Sequence, residues 1–121
     1  MPCRKTLSAA VLGVAALLVA GQADAHAKLV ASNPPANATV AAPKTITLTF
    51  DEEVAPAFSG FDVVMGGGMK MPVKTTVSKD HKSITGALGG PVMAGAYKVS
   101  WRAVAADDGH KTSGTLAFKV K

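Results

Sequence analysis

Few residues of this 121-residue chain have side chains suited to binding or activating a ligand, and the histidines lead: His26, His81 and His110 are the only three. In Asp108-Gly109-His110 a carboxylate and an imidazole stand two positions apart, and the glycine between them permits a tight local turn. His26 follows Ala23-Asp24-Ala25 directly, so a cut after Ala25 makes it the first residue of the processed chain. Its α-amine and its Nδ1 would then close a six-membered chelate ring on a metal. A free α-amine has a pKa of about 7.7 to 8.0, so losing its proton to a metal costs little near neutral pH. Two nitrogens from His26, one from His110 and an oxygen from Asp108 form a set suited to a tetragonal ion. Among divalent ions that points to Cu(II), with zinc and Ni(II) as competitors. Taken singly, each histidine has a plainer reading, His110 as a loop cap and His26 as a frayed end in solvent.

The chelate depends on the cut, and the first residues are laid out for one. Arg4 and Lys5 precede an almost unbroken apolar run from Thr6 to Gly21, and Ala23-Asp24-Ala25 carries small residues at its first and third places. This is the three-part pattern of a secretory signal peptide. A run of sixteen residues is short of the roughly 20 that span a bilayer. Residues 1–25 are therefore expected to be removed, taking the lone cysteine, Cys3, with them. Residues 26–121 then form one exported domain of ninety-six residues.

The elements that must position the donors read as strands. Ile46, Leu48 and Phe50 alternate with Thr45, Thr47 and Thr49, while Tyr97, Val99, Trp101 and Ala103 alternate with Lys98, Ser100 and Arg102. Leu116, Phe118 and Val120 alternate with Ala117 and Lys119. Period two marks half-buried strands. Lys28 to Ala31, Gly60 to Met65, Val73 to Val77 and Ser83 to Leu88 are shorter candidates, separated by turn-rich stretches such as Asn33-Pro34-Pro35, Gly66-Gly67-Gly68 and Gly89-Gly90-Pro91. About seven short strands without an amphipathic helix predict an all-β Greek-key fold, an immunoglobulin-like sandwich in preference to a barrel, although periodicity alone does not choose between the two. The expected core is Leu29, Val30, Ile46, Leu48, Phe50, Phe61, Val63, Leu88, Tyr97, Val99, Trp101, Leu116, Phe118 and Val120.

Other chemistries find less material. Residues 26–121 hold eleven Lys or Arg against seven Asp or Glu, a net charge of +4, and Lys28, Lys44, Lys70, Lys98 and Lys119 lie far apart along the chain. A solvated surface accounts for them, and no nucleic-acid partner is expected. There is no G-x-S-x-G elbow, and the Gly66 to Gly68 run opens no helix that would cradle a phosphate. The adjacent acids Glu52-Glu53 and Asp107-Asp108 read first as solvated turn residues, and His81, between Asp80 and Lys82, as a surface residue.

Read together, these pieces resemble the CopC family of periplasmic copper-resistance proteins along essentially the whole processed length. The matching segments are His26-Ala27-Lys28-Leu29 with Ser32-Asn33-Pro34-Pro35, Leu48-Thr49-Phe50-Asp51-Glu52, Ala96 to Val104, and Asp108-Gly109-His110 with Gly114. The resemblance implies a cupredoxin-like β fold and one Cu(II) per chain, bound without turnover by His26, Asp108 and His110. It also implies a role in copper resistance and homeostasis, with an inner-membrane copper transporter as partner; a monomer is the default.

This chain departs from the family pattern in two places. It is one residue longer between Trp101 and His110, which makes Asp107 a competitor for the carboxylate role, though only Asp108 keeps the D-x-H spacing. Glu52 matches a family acid near the copper and is read as standing behind the ligands, where it would orient one of them or balance the ion's charge. Some relatives also hold Cu(I) with a methionine-rich loop and a histidine. Here Met65, Met69 and Met71 remain in a shortened loop without a histidine, which leaves them as a weak Cu(I) set. Met65 fits the apolar face of a strand, whereas Met69 and Met71 would be exposed. Two other classes of function compete with a carrier: a copper-brace monooxygenase-like enzyme, and a metal-free immunoglobulin-like interaction module.

Overall fold

Thr45-Ile46-Thr47-Leu48-Thr49-Phe50 shows how the chain builds its layers: the threonines favour extended backbone, and every second residue is a large apolar one. In the computed structural model, which describes residues 27–121, this segment is a strand whose Ile46, Leu48 and Phe50 are buried and whose threonines face outward. It lies in the middle of a four-stranded antiparallel sheet. The strands in chain order are β1 (Leu29–Asn33), β2 (Thr39–Val40), β3 (Thr45–Phe50), β4 (Gly60–Met65), β5 (Lys70–Met71), β6 (Val73–Val77), β7 (Ser83–Leu88), β8 (Gly95–Val104) and β9 (Lys111–Val120), with a short 3₁₀ turn at Pro56–Phe58. One sheet has the order β1-β3-β7-β6 and the other β2-β9-β8-β4-β5. Their inner faces meet in a single core, an open two-sheet sandwich rather than a closed barrel.

β8 and β9 are the longest strands and pair along their whole length, from Gly95 opposite Val120 to Val104 opposite Lys111. Inner-face Tyr97 stacks on Phe118 with ring centroids 5.5 Å apart, and Trp101 meets Phe50 of the other sheet edge-on at 5.3 Å. Trp101 stands opposite Gly114, where an added Cβ would come within 2.7 Å of the indole Cζ2. That glycine clears the space the indole fills.

Most of the expected core is in place, with corrections at single positions. Val30 is 59% exposed, because the β1–β3 register shifts between Leu29 and Ala31 and turns Val30 outward. Ala27, Val54, Met71, Ile84 and Ala103 join the core, and Leu29, Leu88 and Trp101 pack at its margin. Strands β2 and β5 add to the seven expected. Both are two-residue edge pieces, too short to carry a period; β2 runs parallel to β9, and β5 closes the Gly66–Gly68 turn against β4.

Candidate metal centre

Asp108, Gly109 and His110 lie in the connection that turns β8 into β9, and the backbone there is tied down at both ends. Ala105 forms a bridge with Val54, and its N–H donates to the His110 carbonyl at 2.9 Å. The Gly109 N–H donates back to the Ala105 carbonyl at 3.0 Å, and the Ala106 N–H to the Glu53 carbonyl at 2.9 Å. Gly109 takes φ +74°, a conformation that a side chain disfavours, which is why the residue between carboxylate and imidazole is glycine.

Within this turn the carboxylate and the imidazole engage each other. The His110 N–H donates to Asp108 Oδ1 at 3.0 Å, and His110 Nδ1 meets Asp108 Oδ2 at 2.8 Å. The two-residue spacing thus makes an Asp-centred turn and at the same time sets the orientation of the ring. Both side chains keep access to solvent, with 56% of the His110 side chain exposed.

His26 lies outside the described residues. The segment that follows it is anchored beside the same turn. The Thr112 hydroxyl, two residues past His110, donates to the Ala27 carbonyl at 3.0 Å, and Ala27 itself is buried. The Lys28 N–H donates to Asp51 Oδ1 at 2.7 Å, and the Asp51 N–H returns a bond to the Lys28 carbonyl at 3.0 Å. Thr112 and Asp51 were not singled out from the sequence as site residues. Asp51 stood inside a family-like segment, whereas nothing local to Thr112 signals a partner 85 residues away.

The remaining candidates separate. Half-buried Glu52 shares a shallow cleft of about 370 Å³ with Asp51, Glu53, Lys82 and Asp107, so Glu52 and Asp107 go together while Asp108 pairs with His110. His81 sits at φ +61° in an exposed turn, where its carbonyl receives the Val54 N–H at 2.7 Å. In that turn the Ser78 hydroxyl, followed by the Lys82 backbone, holds the Asp80 carboxyl below the usual carboxylate range. At the far end of β4, Met69 is 67% exposed, Met65 is half-buried and Met71 is 6% exposed in the core. Met71 thus departs from the exposure expected of it, since pairing with Val63 aims its side chain inward. Among the described residues no three His, Cys, Asp or Glu side chains converge as a metal cluster.

Comparison with known proteins agrees with this architecture. The CopC domain pattern matches residues 29–121. Copper resistance protein C of Xanthomonas campestris pv. juglandis is 40% identical over 124 residues, covering 97% of each chain. Its namesake in Pseudomonas syringae pv. tomato is 43% identical over 117 residues, covering 91% of this chain and 92% of that one. Among solved structures, PcoC, a methionine-rich copper resistance protein from Escherichia coli, superposes with a TM-score of 0.74 at 37% identity, covering 80% of this chain and all of PcoC. CopC from Methylosinus trichosporium OB3b gives 0.73 at 28% identity, covering 79% of this chain and 94% of that one. With its sandwich, its Asp-Gly-His turn and its near full-length likeness to these proteins, the chain belongs to the CopC family.

Proposed function

We propose that the protein binds one Cu(II) ion as cargo in the periplasm, through the α-amine and Nδ1 of His26, the Asp108 carboxylate and the His110 imidazole, after residues 1–25 are removed. The supporting observation is the tether between Thr112 and the Ala27 carbonyl, beside the Asp108–His110 pair. Ala27, covalently one Cα step of about 3.8 Å from residue 26, is thereby held beside the turn. With His110 Nδ1 turned to Asp108, the ring nitrogen offered to the ion is Nε2. Asp108 would then serve both as ligand and as the group that orients the ring.

Asp108 is preferred to Asp107 because only Asp108 contacts His110. Glu52, on the neighbouring acidic cleft, balances the ion's charge or orients a ligand from behind. Three nitrogens and an oxygen suit Cu(II) more than Cu(I). The protein's role is to sequester the ion and pass it to a membrane transporter in copper resistance, as a monomer and without turnover. Reductant-dependent oxygen consumption by the copper-loaded protein in the presence of polysaccharide would overturn the non-enzymatic part of this reading.

The deciding experiment compares a chain starting at His26 with one carrying a single extra residue before it. Each is titrated with Cu(II) while nitrogen hyperfine splitting is recorded. The first chain should bind about a hundredfold more tightly, in line with the 10- to 100-fold or greater losses seen when a metal site is disturbed. Equal affinity and identical spectra would remove the amine from the site. Binding should also weaken in acid, because the amine and the imidazoles must be deprotonated to bind.

A further inference from the structure

The lysines and arginines that lie apart in the sequence are brought together by strand register. Directly paired residues in a sheet point to the same face. Val64 pairs with both Lys70 and Lys98, Ala96 with Lys119, Gly60 with Arg102, and Val104 with Lys111. All five cations are exposed, and the alternation of β8 and β9 puts them on the outer face of the five-stranded sheet. Among the described strand residues the acid on this face is Asp62, bridged to Arg102 at 3.6 Å. The outer face of the other sheet carries Lys74 among neutral hydroxyls such as Thr47 and Thr85, which contact each other at 3.3 Å.

We infer that the outer face of the five-stranded sheet is an electrostatic docking surface for an anionic phospholipid bilayer. The cations spread in two dimensions. At 3.4 Å per residue and 4.8 Å per strand, Lys111 to Lys119 covers about 27 Å, and β5 to β9 about 14 Å. That is a plane of charge, which matches a plane of headgroup phosphates. Protein partners are instead held by aromatic or large aliphatic anchors packed at the centre of an interface, and the centre here is Ser100, Thr115 and Ala117, with a single half-buried Val64 between Lys70 and Lys98. The exposed aromatic side chain of the region is Phe58, on the 3₁₀ turn at one rim, where it shares a groove with Arg102 and Lys111. An apolar ring beside cations at the edge of such a face suits the bilayer interface. No helix among the described residues is long and apolar enough to cross a membrane, so the contact is peripheral.

The test uses the metal-free chain starting at His26, so that neither the leader nor copper contributes. It is mixed with vesicles of phosphatidylcholine alone, or of phosphatidylcholine with phosphatidylglycerol, and the bound fraction is measured by sedimentation. Partition should favour the anionic vesicles and fall as salt is raised. Lys98→Gln and Lys119→Gln should each weaken it about fivefold, the contribution of one lysine near an anionic surface, while Lys74→Gln leaves it unchanged. Equal partition to both vesicles would overturn the inference. So would an effect of Lys74→Gln as large as that of Lys98→Gln, or binding to polyglutamate without binding to vesicles, which would assign the face to an acidic protein. The salt titration of the unmodified chain keeps the test open should a variant misfold.

Discussion

The two ends of the five-stranded sheet offer opposite donors in opposite states of order. At the β8–β9 turn, nitrogen and oxygen donors are held: Asp108 grips His110 through both its backbone N–H and its ring, and Thr112 and Asp51 hold the segment that leads to His26. At the β4–β5 turn, the sulfur donors diverge, one into the core, one into solvent and one half-way between. Met65 pairs with Tyr97 and Lys111 with Val104, so about 24 Å of strand lies between the two ends. Donors of the right element do not by themselves make a site. They must also be held together, as Asp108 holds His110, whereas Met65, Met69 and Met71 differ in exposure.

The largest effect is expected of His110→Ala. It should lower Cu(II) affinity by about a hundredfold or more, measured by competition with a chelator, with the fold intact by circular dichroism. An unchanged affinity would place the copper elsewhere. Next is Met71→Ala, which should destabilise the protein by about 2 to 4 kcal/mol in denaturant unfolding, as for a buried side chain truncated to alanine. Copper affinity should be unmoved; a lost Cu(I) signal without lost stability would restore Met71 as a ligand. Thr112→Val keeps the shape and deletes the hydroxyl that holds Ala27. About tenfold weaker Cu(II) binding is expected, the size of one hydrogen bond at ~1.4 kcal/mol. Its hyperfine pattern should stay that of the unmodified protein, because the donors remain and only their tether is lost. Smallest of all is Met69→Leu, which should leave Cu(I) binding within about twofold, since one exposed thioether is a weak, soft ligand.

Much of the scaffold was legible because alternation is a local property. The bounds expected for β3, β4, β6 and β7 are those observed, and the inward residues of β8 and the end of β9 match their apolar period. The first half of β9, Lys111 to Thr115, was missed because its inward positions are Thr112 and Gly114. One holds a backbone carbonyl and the other makes room for an indole, so neither looks like core. Val30 and Met71 were misjudged for the converse reason. A shifted register turned one valine out, and a two-residue strand turned one methionine in.

The candidate site divides in the same way. The spacing of Asp108 and His110 is a property of three adjacent residues, and the predicted turn is closed by bonds between those two residues themselves. The tether of Ala27 to Thr112 spans 85 positions, and the cationic face is assembled from β5, β8 and β9. Sequence alone determined which residues alternate, which acid stands two places from a histidine, and which segment looks removable. What those residues stand beside is set by how the strands pair. Strand pairing joins distant segments at about 4.8 Å, and each register carries a side chain to one face or the other.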